Sequence, residues 1–407
     1  MIDFSENLKK RFVYYTTFDT ESDPAKCGEI RPTTSGQEVL QRELLKELEE
    51  IGLDVYYGDE KVVMATLEGN IDAPAIGFIA HVDTADDVPG NGVKANVISP
   101  YKGGDIALKN DTLIKADEDE DLALYVGSDI ITSDGTTLLG SDDKAGVAII
   151  MEAIKYLKEH SEIKHGPVEV YFTPDEETGF GMAKFPYDKK RSSVCYTVDG
   201  GRENEIEAEC FNAATLDITV KGVSIHLGSA RGKFVNAVTI LSQIVSSLPQ
   251  AESPEATDGR YGYYCPLEIS GTSTEAKLAV FIRDFDIEVF NKRIENVKAL
   301  VNAISAIYSG KAEIKVTVSY HNMAEANKQN PRALESIFES GKKLGLDLYE
   351  EIIRGGTDGA RLAETGTPCP NLFTGGHNLH SLKEWVSVSA MNKSANLVLA
   401  IVDYWAN

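Results

Sequence analysis

Short clusters of histidine and carboxylate side chains stand out in this sequence, because each offers metal ligands or acid–base groups at a useful spacing. His81-Val82-Asp83 sets an imidazole and a carboxylate two residues apart. In an extended segment these point the same way, and a histidine ligand commonly has a carboxylate nearby to fix its orientation. Taken alone, the triplet also fits a hydrogen-bonded loop histidine. Asp142-Asp143-Lys144 follows the turn Leu138-Leu139-Gly140-Ser141, where acidic residues at a helix start serve ordinary capping as readily as metal binding. Glu176-Glu177 is harder to explain without a cation, since adjacent carboxylates repel and neither gains from burial alone. One could bind metal while the other handles protons. His380 lies in a Gly-rich segment late in the chain, with His377 beside it as a competing candidate. Histidine, aspartate and glutamate without sulfur suit zinc, with manganese or cobalt as alternatives.

The surrounding elements explain why these residues would converge. Residues 76–80 form a continuous apolar run of strand length, the pattern of a sheet covered on both faces, and end in His81. Residues 168–172 run as a strand into Thr173-Pro174-Asp175-Glu176-Glu177, and 194–198 end at Asp199. Three predicted strands thus deliver ligand-type side chains at their carboxyl ends, the edge where open α/β sheets bind ligands. Residues 144–158 predict an amphipathic helix buried through Val147, Ile150, Met151, Ile154 and Leu157. A helix over 38–51, stopping at Gly52, and a strand over 62–67 precede them. The β-α-β rhythm predicts an α/β fold with a mixed, mostly parallel sheet flanked by helices.

From about residue 209 the pattern changes to a half-exposed strand over 214–221, a helix over 236–248, and strands over 276–282 and 313–319 with a helix between them. That is a smaller α+β unit with one solvated sheet face. After about 321 the chain returns to helix (333–344), Gly-rich loop, strand and a final helix. The expected organisation is a discontinuous domain, 1–208 and 321–407, with an inserted α+β domain, 209–320. The acidic run 117–121 reads as a solvated loop.

The formal charge of -24 repels phosphate backbones and disfavours nucleic acid as a partner, while an acidic cleft would attract cations and ammonium groups. The N-terminus lacks a charged region followed by an apolar stretch, and nowhere do about 18 apolar residues run together, so no membrane partner is expected. The five cysteines are scattered without a CxxC pair and fit reduced thiols in a cytoplasmic protein.

His81-x-Asp83, Gly140-Ser141-Asp142-Asp143-Lys144, Asp175-Glu176-Glu177, Asp199-Gly200-Gly201 and a late histidine occur in one order. In that order the chain resembles the co-catalytic zinc peptidases related to carboxypeptidase G and aminoacylase. Thr173–Gly179, Tyr196–Gly201, Ile282–Asp286, Arg354–Ala360 and Pro370–Gly376 sharpen the resemblance to the branch of tripeptide aminopeptidases, over essentially the whole chain. The resemblance implies a two-metal centre, most simply zinc. Asp142 would bridge two ions, His81 and Asp199 would complete one, and Glu177 and His380 the other. Glu176 would be the general base, Asp83 would support His81, and the Asp142–Asp143 peptide bond would be cis. From the inserted domain, His226 would polarise the scissile carbonyl, although Leu227 stands where relatives generally have proline. Arg283 and Arg354 would hold the substrate's carboxylate or backbone, with Asn236 a further candidate for that cleft. The implied substrates are short peptides with a free N-terminus. The inserted domain would act as a lid closing about hinges near 209 and 321, and as the surface of a homodimer.

Two rivals stand beside this expectation. A deacylase or carboxypeptidase would use the same cage, and a non-catalytic metal-binding protein would need the cage but neither Asp83 nor Glu176.

Overall fold

The computed structural model describes residues 1–407. The chain folds as two compact units, one of Met1–Ala208, Glu325–Glu351 and Thr357–Asn407, the other of Glu209–Ala324 with Ile352–Gly356. No helix is long and apolar enough to cross a membrane.

The first unit is built on an eight-stranded sheet. Its order is Asp54–Tyr56, Val63–Leu67, Val168–Thr173, Ile76–His81, Val194–Gly200, Asn371–Phe373, Glu205–Cys210, Tyr349–Ile353. The central strands Val168–Thr173, Ile76–His81, Val194–Gly200 and Asn371–Phe373 pair in parallel, and the flanking pairs Asp54–Tyr56 with Val63–Leu67 and Glu205–Cys210 with Asn371–Phe373 are antiparallel. Every residue of Ile76–His81 and Val168–Thr173 is buried, so both faces of these strands are covered, with buried Glu169 satisfied by Ser192 N–H.

Helix Ser141–Glu159 packs on the Ile76–His81 strand and on the C-terminal helix Val388–Trp405. Its stripe of Val147, Ile150, Met151, Ile154 and Leu157 is no more than 2% exposed, and each such side chain contributes about 1.5–3 kcal/mol by burial. Gly146 allows the close approach, since a Cβ there would meet Val198 O at 1.8 Å. Asp142 and Asp143 have non-helical backbone angles, so regular helix begins at Lys144, where the apolar spacing starts. The Asp142–Asp143 peptide bond is cis.

The second unit is a four-stranded antiparallel sheet in the order Tyr263–Gly271, Glu275–Asp284, Asn212–Lys221, Lys311–Tyr320. Helices Ala237–Ser247 and Ile287–Ile307 cover one face, and Asp217, Lys315 and Thr317 belong to the other. Two segments that the sequence assigned to the first domain belong here. Asn322 accepts from Cys210 N–H and donates to Phe285 O, which fixes 321–324. Phe211 N–H donates to Ile353 O, and Arg354 donates to the carbonyls of Thr257, Gly259 and Tyr261, which fixes 352–356.

Candidate dinuclear metal centre

Sheet register brings the ligand residues to one level. His81 pairs with Thr173 and Ile79 with Thr197, so His81, the 175–177 segment and Asp199 leave neighbouring parallel strands at the same edge. The start of helix Ser141–Glu159 brings Asp142 to them, with His81 Nε2 2.8 Å from Asp142 Oδ1 and 3.4 Å from Asp199 Oδ1. His380 Nε2 lies 3.3 Å from Asp142 Oδ2 and 3.2 Å from Glu177 Oε2. The ligand atoms of His81, Asp142 and Asp199 lie within 4.8 Å of one another, as do those of Asp142, Glu177 and His380. Asp142 belongs to both groups.

A ring of buried bonds holds this arrangement. Asp83 Oδ1 and Oδ2 accept the N–H groups of Glu176 and Glu177 at 3.0 and 3.1 Å, while its carbonyl oxygen meets His81 Nδ1 at 3.1 Å. Asp83 therefore orients the histidine and the glutamate pair together. Asp143 accepts from the N–H groups of His81 and Gly146. Asp175 adopts a φ of 62° and is gripped by Thr33 and Gln37, which turns the chain so that the two glutamates follow. Asp87 Oδ2 lies 3.0 Å from His380 Nδ1 and supports it from 293 residues away, a partner that no local pattern marks.

The electrostatics are those of crowded carboxylates. Burial pushes Glu177 up to about 7, with the Asp142 charge adding to it. Burial likewise pushes Asp199 up to about 7, and it raises Glu176 well above the usual carboxylate range, helped by Asp199, Asp358 and Glu177. Hydrogen bonds to Asp142 and then Glu177 lift His380 to about 11. Buried Glu177 Oε1 has no hydrogen-bond partner. Surplus anionic charge, an orphaned carboxylate oxygen and imidazole nitrogens facing the same carboxylates together fit a pair of divalent cations.

His377 stands apart from both ligand groups. Its ring stacks on Trp385 with centroids 3.9 Å apart, its Nδ1 lies 3.3 Å from Asp121 Oδ2, and burial lowers its pKa to about 4. The acidic run is likewise no free loop: Asp119 accepts from Trp385 Nε1 and Asn378 Nδ2, and Asp121 pairs with Arg202. Composition alone could not reveal partners so distant in sequence.

His226, Asn236, Arg283 and Arg354 all lie in the second unit. His226 is exposed, and its Nδ1 accepts from Gly228 N–H. Asn236 caps helix Ala237–Ser247 through Val238 and Thr239 N–H. Arg283 donates to Ala214 O and Ile282 O and lies over the Phe281 ring. Arg354 holds the 257–261 loop and lies over Phe211 and Tyr263.

Residues 132–404 match the model of peptidase family M20/M25/M40. This chain is a member of that family. A peptidase T of Clostridium novyi (strain NT) is 41% identical over 407 residues, covering 98% of this chain and 100% of that one. A peptidase T of Bacillus licheniformis is 43% identical over 402 residues, covering 97% of each. The crystal structure of aminopeptidase PepT from Bacillus cereus ATCC 10987 shares the fold of this M20 family member, with a TM-score of 0.78 at 24% identity over 99% of both chains.

Proposed function

We propose that this M20 family member is a metallo-aminopeptidase that hydrolyses the N-terminal peptide bond of short peptides, preferentially tripeptides. The observation that carries the chemistry is the sharing of Asp142 between two ligand groups, with Glu176 beside them. Similarity to peptidase T over nearly the whole chain supports the substrate class. His81, Asp142 and Asp199 would hold one divalent ion and Asp142, Glu177 and His380 the other, zinc being the expected metal and manganese or cobalt alternatives. Bound ions supply Lewis acidity to the scissile carbonyl and make water acidic enough to attack near neutral pH.

The chain's own residues do the rest. Glu176 takes a proton from the attacking water on a carboxylate oxygen and hands it to the nitrogen of the departing amine. Asp83 keeps Glu176 and Glu177 in place through their backbone N–H groups. His226, a residue of the second unit, would polarise the scissile carbonyl. For Arg283, Arg354 and Asn236 the support is resemblance alone, because their present bonds shape the second unit itself. Free thiols at all five cysteines support a reducing, cytoplasmic setting. A homodimer would use the edge strand Tyr263–Gly271, where Leu267 and Ile269 point outward.

The test is a panel of di-, tri- and tetrapeptides with free and acetylated N-termini, assayed after chelation and after return of zinc, manganese or cobalt. Release of the first residue from unblocked tripeptides is expected. Equal cleavage of acetylated peptides, or release from the C-terminus, would overturn the assignment.

A further inference from the structure

We infer that Glu384 is a positioning residue of the metal centre: its buried carboxylate clamps the turn that carries Asp142 to the turn that carries His380. The inference rests on the proposed roles of those two residues as ligands.

Glu384 is 1% exposed, and its carboxylate faces the start of helix Ser141–Glu159. Oε2 accepts the N–H groups of Leu139 and Gly140 at 2.6 and 2.9 Å. Oε1 accepts Ser141 N–H at 2.7 Å, the Ser141 hydroxyl at 2.6 Å and Asp142 N–H at 3.3 Å. The first N–H groups of a helix lack intrahelical partners and attract an anion, a need usually met by a neighbouring cap residue. Here the cap position is Gly140, which has no side chain to offer, and Asp142 and Asp143 depart from helical angles. Helix propensity cannot set this turn, so a carboxylate more than 240 residues away sets it.

The same glutamate closes the other turn. Its N–H donates to Ser381 O just after His380, and the Trp385–Ser387 strand follows immediately. His380 and Asn378 have φ values of 58° and 53°, a backbone region uncommon outside glycine that persists only where surroundings impose it. One carboxylate thus fixes the spacing between Asp142 and His380, which lie in different parts of the chain.

The experiment compares the full chain with E384Q and E152Q after chelation, reading zinc binding by calorimetry, melting without zinc, and tripeptide kinetics with zinc restored. Glu152 is a buried carboxylate on the same helix, paired with Arg11 away from the centre. The expected result is a folded E384Q whose zinc affinity falls roughly 10–100-fold, with kcat reduced and KM little changed. E152Q should lose stability while keeping wild-type zinc affinity. Wild-type zinc affinity in E384Q, or the same loss in E152Q, would overturn the inference. If E384Q does not fold, S141A removes one donor from the same carboxylate and should weaken zinc binding with its melt intact; unchanged affinity there would overturn it. A wild-type chain that takes up no zinc would overturn the ligand assignment itself, and this inference with it.

Discussion

Glu176 and Glu177 leave the same strand end but meet different surroundings. Glu177 Oε2 reaches His380, while Glu176 stays outside both ligand groups. E176Q is therefore expected to cut turnover by roughly 10²–10⁴ while zinc affinity stays close to wild type; full activity in that variant would remove the general base. One residue behind the centre, Glu207 accepts at 2.6 Å from Nδ2 of Asn371, whose Oδ1 accepts Asp199 N–H, and burial, with the Glu205 and Asp199 charges, pushes its carboxyl up to about 8. Between the ordinary glutamate value, about 4.3, and that raised value the folded chain keeps a proton that the unfolded chain has released. Stability contributed by this group is thus present on the acid side and falls as pH rises through the window. E207Q should melt with wild type near pH 4.5 and above it near pH 8.5, by on the order of 1–3 kcal/mol. Parallel melting curves across that range would contradict the shift.

At the level of elements, helix Ser141–Glu159 must lie close to the Val194–Gly200 strand if Asp142 is to reach Asp199. Gly146 makes that approach, because a Cβ there would fall 1.8 Å from Val198 O and 2.4 Å from Asp143 Oδ1. G146A should destabilise the first unit by at least about 1–3 kcal/mol, the usual cost of overpacking, and lower zinc affinity with it; a wild-type melt would show that the helix can move away freely. The strands that lead to His81, Glu176, Glu177 and Asp199 could be read from sequence because they are buried on both faces: residues 76–80 form an unbroken apolar run, and Glu169 and Thr197 are the single interruptions of 168–172 and 194–198. Helix Ser5–Tyr15, with Leu8, Phe12 and Tyr15 buried at helical spacing, lies outside the elements expected from sequence. The sheet of Gly376–His377, Trp385–Ser387, Ile130–Thr132 and Asn96–Ile98 has strands of two or three residues, too short for any period to register. Glu384 and Asp87 were invisible for another reason. Their partners are backbone groups or side chains far away in sequence, and no local pattern marks them.

For the whole molecule, the sequence located the change from α/β to antiparallel architecture near residue 209, but not the return of 352–356 to the second unit. That return depends on the bonds of Ile353 and Arg354 rather than on periodicity. His226 belongs to the second unit, and H226A should lower kcat on an unblocked tripeptide by roughly 10²–10³ with zinc affinity unchanged. Wild-type kcat in H226A would count against a part for His226. The most direct test of the dinuclear centre is a zinc titration of the chelated chain, with bound metal and hydrolysis of an unblocked tripeptide followed in the same sample. Hydrolysis should vanish on chelation and return as zinc fills to two ions per chain. Undiminished hydrolysis in the chelated chain, or full activity with no more than one ion bound, would contradict a centre bridged by Asp142.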